Sequence, residues 1–262
     1  MLKTNSISVI CPFHRNENNI VRAAESIFSQ TYLPDEIIFV NDNSPDESYE
    51  ILTRLLDNVS IDCIIKLITI DHSGPGHARN VAIQKSTSDW ISFLDADDYW
   101  LPEKLENIFK VIKEDNLVNF VAHDEFSYKR NFELENCKIS YFYNEDKDLS
   151  CQLFMRNFLS TSACTVSNDL VREFLFDPHL SSCQDYELWL AMSQKIRLHY
   201  IKKPLGFYDN YNQKSITNNN QIKRLKNLIL VLFRYHNYVT LSEFLITLLK
   251  HLTAFLIKII RN

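Results

Sequence analysis

The chain has 262 residues, 45% of them hydrophobic and 23% charged, with a net charge of −5. This length supports one large domain with its own core, and the acidic balance argues against a nucleic-acid-binding protein. Six cysteines are scattered without a CxxC pair, and the first residues lack the apolar stretch of a signal peptide. We therefore expect reduced thiols and a cytoplasmic protein.

Strand and helix patterns alternate over the first 125 residues. Short apolar runs predict strands at 6–11, 36–40, 63–70, 90–94 and 118–123, and helical spacing predicts helices at 19–30, 48–57, 77–85 and from Pro102 onward. This alternation predicts an α/β fold with a Rossmann-like, mostly parallel central sheet flanked by helices. Ligands of such sheets bind at the carboxyl ends of the strands, near the topological switch point.

The later chain is less regular. Residues 126–149 could form a hairpin or a lid, residues 151–194 read as helix, strand and helix, and residues 197–208 read as a strand followed by a turn. The last forty residues are predicted to be helical.

The acidic run Asp95-Ala96-Asp97-Asp98 follows the fourth predicted strand. Neighbouring carboxylates repel one another unless a cation joins them, and oxygen ligands suit Mg²⁺ or Mn²⁺. In an extended segment Asp95 and Asp97 point the same way. The alternative is an acidic turn that precedes the next helix.

Three further features have a structural and a functional interpretation. Asp42 could form an Asx-turn or accept a hydrogen bond from a nucleotide base. The Gly74-Pro75-Gly76 loop could present N–H groups to phosphate, with Arg79 as a phosphate ligand or a surface arginine. His14 could stack on a base or be a loop histidine.

Asp185 begins a predicted apolar helix within Gln184-Asp185-Tyr186-Glu187-Leu188-Trp189. It could cap that helix at its N-terminus. It could instead point into a cleft and act as a general base.

Five segments together resemble family 2 of the inverting glycosyltransferases, which has the GT-A fold. In chain order they are SVICPFHRNENNIVRAAESIFSQTY, VNDNSPDES, GPGHARN, FLDADD and QDYELW. The family has Tyr-Asn where this chain has His14-Arg15, and often an acid where it has Gln184. The family's Tyr-Arg-x-His segment corresponds to Tyr208-Asp209-Asn210-Tyr211, which lacks the basic pair. The resemblance extends from residue 6 to about 217.

The resemblance implies roles for these residues. Asp185 would be the catalytic base, and Asp97 with Asp95 would hold Mn²⁺ or Mg²⁺. Asp42 would contact the base of a UDP-sugar, and Asp95 would lie near the ribose and diphosphate. The full nucleotide-sugar-binding set would be Pro12, His14, Glu17, Asp42, Arg79, Asp95 and Ala96.

The resemblance also implies an activity and a domain organisation. The expected reaction moves one hexose, with UDP-Glc or UDP-Gal favoured as donor, to a saccharide acceptor in polysaccharide or O-antigen synthesis, giving a β-linkage. The GT-A domain would span 1–217, with a nucleotide-sugar half at 1–123 and an acceptor half at 124–217. The alternatives are a nucleotidyltransferase, although PFHRNENN is not a Gly-rich basic phosphate loop, or a sugar-nucleotide-binding module without activity.

The helical tail at 218–262 carries seven basic residues against one acid, Glu243. Its helical wheel predicts one apolar face, opposite Glu243, Lys250, His251 and Lys258, and the charges argue against a membrane span. This pattern suits a peripheral helix on the anionic inner face of the cytoplasmic membrane. Together with such a helix, the family resemblance implies a lipid-diphosphate-linked acceptor. The alternative is packing on the catalytic domain or in a homodimer. The members of the apolar face are Leu241, Phe244, Leu245, Leu248, Leu249, Leu252, Phe255, Leu256 and Ile259.

Overall fold

The computed structural model describes residues 5–128, 134–137, 139–209 and 221–260. Within them the protein is a mixed α/β structure with one twisted sheet. The strands are β1 (Ile7–Phe13), β2 (Glu36–Asn41), β3 (Ile64–Thr69), β4 (Trp90–Phe93), β5 (Tyr99–Trp100), β6 (Phe120–Tyr128), β7 (Leu134–Cys137), β8 (Thr165–Ser167) and β9 (Leu198–Tyr208). The helices are α1 (Ile20–Phe28), α2 (Ser48–Leu56), α3 (Pro75–Lys85), α4 (Lys104–Glu114), α5 (Leu149–Met155), α6 (Asn168–Phe174), α7 (Gln184–Met192), α8 (Gln221–Arg234) and α9 (Leu241–Ile260).

The sheet has the strand order β3-β2-β1-β4-β8-β6-β9-β5, with β7 beside β6. Strands β1 to β4 are mutually parallel, and β6 and β9 run in the same direction as they do, whereas β5, β7 and β8 run against them. The mostly parallel sheet is therefore confirmed. The chain builds outward from β1 to β3 and then returns to place β4 on the other side of β1. The topological switch point lies between β1 and β4.

The core has two layers, one on each face of the sheet. Alternate side chains of β1 point to opposite layers, so that Ile10 packs with α3 and α7 while Val9 packs with α1 and α4. Both faces are covered, which explains why β1, β2 and β4 are buried along their whole length.

Two elements differ from the sequence-based prediction. The helix expected from Pro102 begins at Lys104, and the two-residue strand β5, which pairs with β9, was not predicted. Residues 126–149 include the predicted hairpin, since β7 pairs antiparallel with β6.

The helical tail packs against the rest of the domain. Val231 and Leu232 of α8 are fully buried, and the Phe244 ring lies 6.2 Å from that of Phe154 and 5.2 Å from that of Phe233. Packing on the same chain was one of the two alternatives for the tail. The expected boundary between residues 217 and 218 lies outside the described residues.

Two acidic side chains attach α8 to the preceding part of the domain. Arg234 pairs with Asp177 at 2.9 Å and with Glu187 at 2.6 Å, and Tyr235 donates a hydrogen bond to Glu187 at 2.7 Å. The end of α8 is thus tied to α7 by charged hydrogen bonds.

The apolar residues of α9, which the helical wheel places on one face, form two groups in the structure, one packed on the domain and one exposed to solvent. Phe244 is buried and Leu248 and Phe255 are half-buried against the domain, whereas another group points to solvent. The expectation that His251 lies on an exposed polar face is wrong, because His251 is half-buried. No helix in the described parts of the chain is long and apolar enough to cross a membrane. The solvent-facing group consists of Leu241, Leu245, Leu249, Leu256 and Ile259.

We predict that Phe244→Ala destabilises the protein by about 3 kcal/mol, because it leaves a cavity between α9 and the core. Leu249→Ala is the matched control, since Leu249 is 59% exposed and Phe244 only 9%. Urea unfolding of the two variants measures the difference. Equal effects would show that α9 does not pack on the domain as described.

Candidate active site

The carboxyl ends of three adjacent strands assemble the predicted residues. His14 follows β1, Asp42 follows β2 and Asp95 follows β4 by two residues, and these strands are neighbours in the order β2-β1-β4. Because the strands are parallel, the three polar segments emerge at the same edge of the sheet, beside the switch point.

Asp42 joins the end of β2 to the loop that leads into α3. Its side chain is buried, and its carboxylate accepts hydrogen bonds from the backbone N–H groups of Ser73 at 2.7 Å and Gly74 at 2.9 Å. Asp42 therefore does not form the Asx-turn considered for it, and in this loop Asn41 Oδ1 instead accepts from the Ser44 N–H, three residues on, at 2.8 Å. Asp42 therefore organises the loop between β3 and α3.

The rings of His14 and His72 stack above this carboxylate, with centroids 4.2 Å apart. His14 Nδ1 lies 2.8 Å from the Asp42 carbonyl oxygen, and His72 Nδ1 lies 2.9 Å from Asp42 Oδ2. In the described part of the chain, these three side chains form the group whose ligand atoms lie close enough to share a metal ion. This group was not anticipated from the sequence, and it differs from the predicted ligands Asp95 and Asp97.

The acidic run after β4 alternates between the cleft and the interior. Asp95 and Asp97 are partly exposed, whereas Ala96 and Asp98 are buried. The Asp98 carboxylate accepts a hydrogen bond from the Ser162 hydroxyl at 2.5 Å. Burial, and then the charges of Asp97 and the other nearby acids, raises the pKa of Asp98 well above its usual range.

Two charged residues missed by the sequence analysis lie behind this run. Burial raises the pKa of Glu125 to about 7, and one of its carboxylate oxygens has no hydrogen-bond partner. Lys104 is fully buried, with its ammonium 3.5 Å from the centroid of the Trp100 ring, and burial lowers its pKa well below the usual range. Neither residue belongs to a recognisable motif, so only the structure could identify them.

Arg79 connects α3 to the acidic run. Its guanidinium forms an ion pair with the Asp95 carboxylate and lies 5.2 Å from the centroid of the Phe176 ring. Arg79 is therefore a buried residue of the site and not a surface arginine.

Gly76 lies in close contact with the side-chain amide of Gln184. Its N–H donates to Gln184 Oε1 at 3.2 Å, and a Cβ at this position would lie 2.4 Å from Gln184 Nε2. The Gly76 N–H, which the sequence suggested as a phosphate ligand, is thus already hydrogen-bonded to the Gln184 side chain. This bond also joins the start of α3 to α7.

Asp185 lies in the first turn of α7 and accepts a hydrogen bond from Asn157 Nδ2 at 3.1 Å. The N-cap position is held by Cys183, in a left-handed conformation with φ 59°, so the capping interpretation of Asp185 is not supported. Burial raises the pKa of Asp185, although the hydrogen bonds that it accepts and the charge of Arg79 oppose this effect. A carboxylate with a raised pKa is a stronger base than an exposed one.

A cavity of about 800 Å³ brings part of the predicted set together. Arg79, Asp95 and Asp185 line it, as do Glu125 and residues of α8 and α9. The other predicted residues belong to the same sheet edge but not to the walls of this cavity. They are Pro12, His14, Glu17, Asp42, Ala96 and Asp97.

Solved structures share this architecture. S. aureus TarS 1–349 in complex with UDP-GlcNAc matches 94% of this chain and 71% of its own, at 17% identity and a TM-score of 0.73. The mannosyltransferase PcManGT from Pyrobaculum calidifontis, in complex with GDP-Man and Mn²⁺, matches 95% of this chain and 74% of its own, at 18% identity and a TM-score of 0.67. The fold is therefore of the GT-A type, as the sequence analysis expected.

Residues 8–166 match the family described as Glycosyl transferase family 2, and the chain belongs to this family. An uncharacterized glycosyltransferase of Rickettsia bellii (strain RML369-C) is 30% identical over 213 residues, which are 79% of this chain and 29% of the relative. The Escherichia coli UDP-Glc:alpha-D-GlcNAc-diphosphoundecaprenol beta-1,3-glucosyltransferase WfgD is 28% identical over 226 residues, which are 84% of this chain and 82% of the relative. The chain spans about a third or less of the length of the Rickettsia relatives that it matches.

We predict that Asp42→Ala lowers both stability and UDP affinity. Two backbone N–H groups would lose a charged acceptor, which costs about 1–3 kcal/mol, and the loop beside the expected base pocket would loosen. Urea unfolding and calorimetry with UDP measure the two effects. Asp71→Ala, an exposed acid of the same loop, is the control. A stability loss with unchanged UDP affinity would restrict Asp42 to a structural role.

Proposed function

We propose that this chain is an inverting glycosyltransferase that moves one hexose from a UDP-sugar to a saccharide carried on a lipid diphosphate. UDP-Glc and UDP-Gal are the favoured donors, and the product is a β-glycoside in polysaccharide or O-antigen synthesis. The supporting observation is that Asp95, on the donor side, and Asp185, on α7, line one cavity. Asp95, assigned to the donor, and Asp185, the proposed base with a raised pKa, therefore line the same cavity.

The acidic run after β4 suits a divalent cation. Asp95 and Asp97 offer oxygen ligands at the partly exposed side of the run. The pKa of Asp98 is raised first by burial and then by the charges of Asp97, Glu125 and Asp95. Such a donor set favours Mn²⁺ or Mg²⁺. We assign Asp97 and Asp95 as the ligands, and the bound cation would stabilise negative charge on the departing diphosphate. PcManGT, which shares the fold, was solved with Mn²⁺.

In the proposed transfer reaction each residue of the site has a separate role. Asp185 accepts the proton of the acceptor hydroxyl while that oxygen bonds to the anomeric carbon. The bond from this carbon to the diphosphate oxygen breaks, and UDP leaves with the electron pair on the opposite face. Asn157 orients the Asp185 carboxylate by its hydrogen bond, and Arg79 holds Asp95 in place. Pro12, His14, Glu17, Asp42 and Ala96 are proposed to shape the uridine side of the site.

The acceptor class is supported by the tail and by a relative. WfgD is named for transfer to a GlcNAc-diphosphoundecaprenol, and it matches most of this chain. The solvent-facing apolar group of α9 suits a protein that works on the inner surface of the cytoplasmic membrane.

A donor screen with labelled UDP-sugars, Mn²⁺ and a short lipid-diphosphate–GlcNAc tests the proposal. Release of pyrophosphate would favour the nucleotidyltransferase, and binding without turnover would favour the binding module.

We predict that Asp97→Ala abolishes transfer but not folding. Removing one of several crowded carboxylates relieves repulsion, so the melting temperature without metal should be unchanged or slightly higher, and Mn²⁺ should no longer raise it. Asp62→Ala, an exposed acid far from this run in sequence, is the control. Full wild-type activity in excess EDTA would overturn the metal assignment.

We predict that Asp185→Asn lowers turnover by about 10²–10⁴-fold, the usual contribution of a general base, with little change in UDP-sugar affinity. The wild-type rate should fall as the pH drops through the raised pKa of Asp185, because the protonated carboxyl cannot accept a proton. This acidic limb of the pH–rate profile should disappear in the variant.

Glu187→Gln is the matched control for Asp185→Asn. Glu187 lies two residues further along α7 and points to Arg234 and Tyr235 instead of the cavity. The Glu187→Gln substitution should weaken the attachment of α8 to α7, but the enzyme should keep near-normal turnover on a water-soluble acceptor. A Glu187→Gln enzyme that is inactive, beside an active Asp185→Asn enzyme, would move the base to the other carboxylate.

A further inference from the structure

The C-terminal helices contribute basic side chains to the cavity wall. Arg224 of α8 and Lys250, His251 and Lys258 of α9 line the cavity together with Asp185. Lys250 and Lys258 are about two turns apart on α9, and both line the cavity beside Ala254 and Phe255 of the same helix. The wall therefore presents a cluster of cations to a space that also contains the proposed base.

Other side chains provide strong contacts between the tail and the domain. Docking of α8 uses Arg234, which pairs with Asp177 and Glu187, and docking of α9 uses apolar contacts such as that of Phe244 with Phe154. Replacing the basic residues of the cavity wall leaves these contacts in place.

The positive charges act on a common region. The pKa of His251 is lowered first by burial and then by the charges of Lys250 and Arg224, so both cations lie close enough to oppose its protonation. Like charges gathered beside a half-buried imidazole repel one another, and an anion placed among them would relieve that repulsion.

The substrate that brings such an anion is the acceptor. The donor diphosphate is assigned to Asp95 and Asp97, where acidic side chains require a cation between protein and phosphate. A second diphosphate can bind directly to arginine and lysine, which donate charged hydrogen bonds to phosphate oxygens. The exposed leucines of α9 are on the same helix as Lys250 and Lys258, and a lipid chain leaving the cavity would meet them.

We propose that Arg224, Lys250 and Lys258 form the binding site for the diphosphate of a lipid-linked acceptor, so that the tail selects the acceptor as well as closing the cavity. This assignment rests on the proposed glycosyltransferase function. Phosphate oxygens of anionic membrane lipids have the same chemistry, but the cluster faces the cavity, and we assign it to the acceptor.

The test compares two acceptors on the full-length chain. The Arg224→Gln, Lys250→Gln, Lys258→Gln triple variant should raise the KM for a short-chain alkyl diphosphate–GlcNAc by about tenfold or more, because it removes three cations from the phosphate. Its kcat/KM for the matching alkyl GlcNAc without diphosphate should be unchanged, and so should its affinity for UDP. Lys226→Gln changes the same charge on α8 at a residue that does not line the cavity, and it should leave both acceptors unaffected.

Calorimetry with the alkyl diphosphate–GlcNAc, in the presence of UDP and Mn²⁺, provides an arm that does not depend on turnover. Wild-type binding that the triple variant loses supports the site even if no transfer is seen, in which case only the proposed function fails. Equal losses on both acceptors, a loss of UDP affinity, or an unchanged KM for the diphosphate acceptor would overturn the assignment. If the triple variant instead loses binding to phosphatidylglycerol vesicles and keeps its KM in solution, the cluster serves the membrane lipid.

Discussion

Repulsion among carboxylates at one edge of the sheet is the constraint on which the site depends. Asp95, Asp97, Asp98 and Glu125 are gathered where β4 and β6 approach their carboxyl ends. Burial is the main cause of the raised pKa values of Asp98 and Glu125, and the charges of neighbouring acids raise them further. The protein offsets part of this repulsion with the Arg79 ion pair to Asp95. A divalent cation at the exposed side of the run would offset more, which links metal binding to the proposed departure of UDP.

A second set of contacts ties this acidic edge to the proposed base. Gln184 binds the N–H of Gly76 at the start of α3, and Arg79 of the same helix reaches Asp95, so α7 and β4 are connected through α3. Asp185 follows Gln184 directly and is consequently placed on the cavity together with Asp95. The amide at position 184 makes this contact without adding another negative charge to the site.

The tail completes the cavity. Its inner side is held by Phe244 and by the ion pairs of Arg234, and its cavity side carries the basic cluster assigned to the acceptor diphosphate. In the proposed mechanism the donor diphosphate would be held through a metal ion, and the acceptor diphosphate would contact arginine and lysine directly. The Asp185 carboxylate, which lines the same cavity, would take the proton of the acceptor hydroxyl.

The sequence by itself determined the parallel first half of the sheet, because apolar runs alternate there with helical stripes, and the ends of these runs already contain Asp42, Asp95 and Asp97. It also identified the family, because five segments recur in order. Only the tertiary structure showed that the Asp42 carboxylate accepts hydrogen bonds from backbone N–H groups of the β3–α3 loop. It also showed that Glu125 and Lys104 are buried behind the acidic run, and that some apolar residues of α9 face the core while others face solvent. The physical reason is that periodicity reports which residues share a side of one element. Burial, pKa shifts and the meeting of α7 with α8 and α9 depend on contacts between segments far apart in the chain.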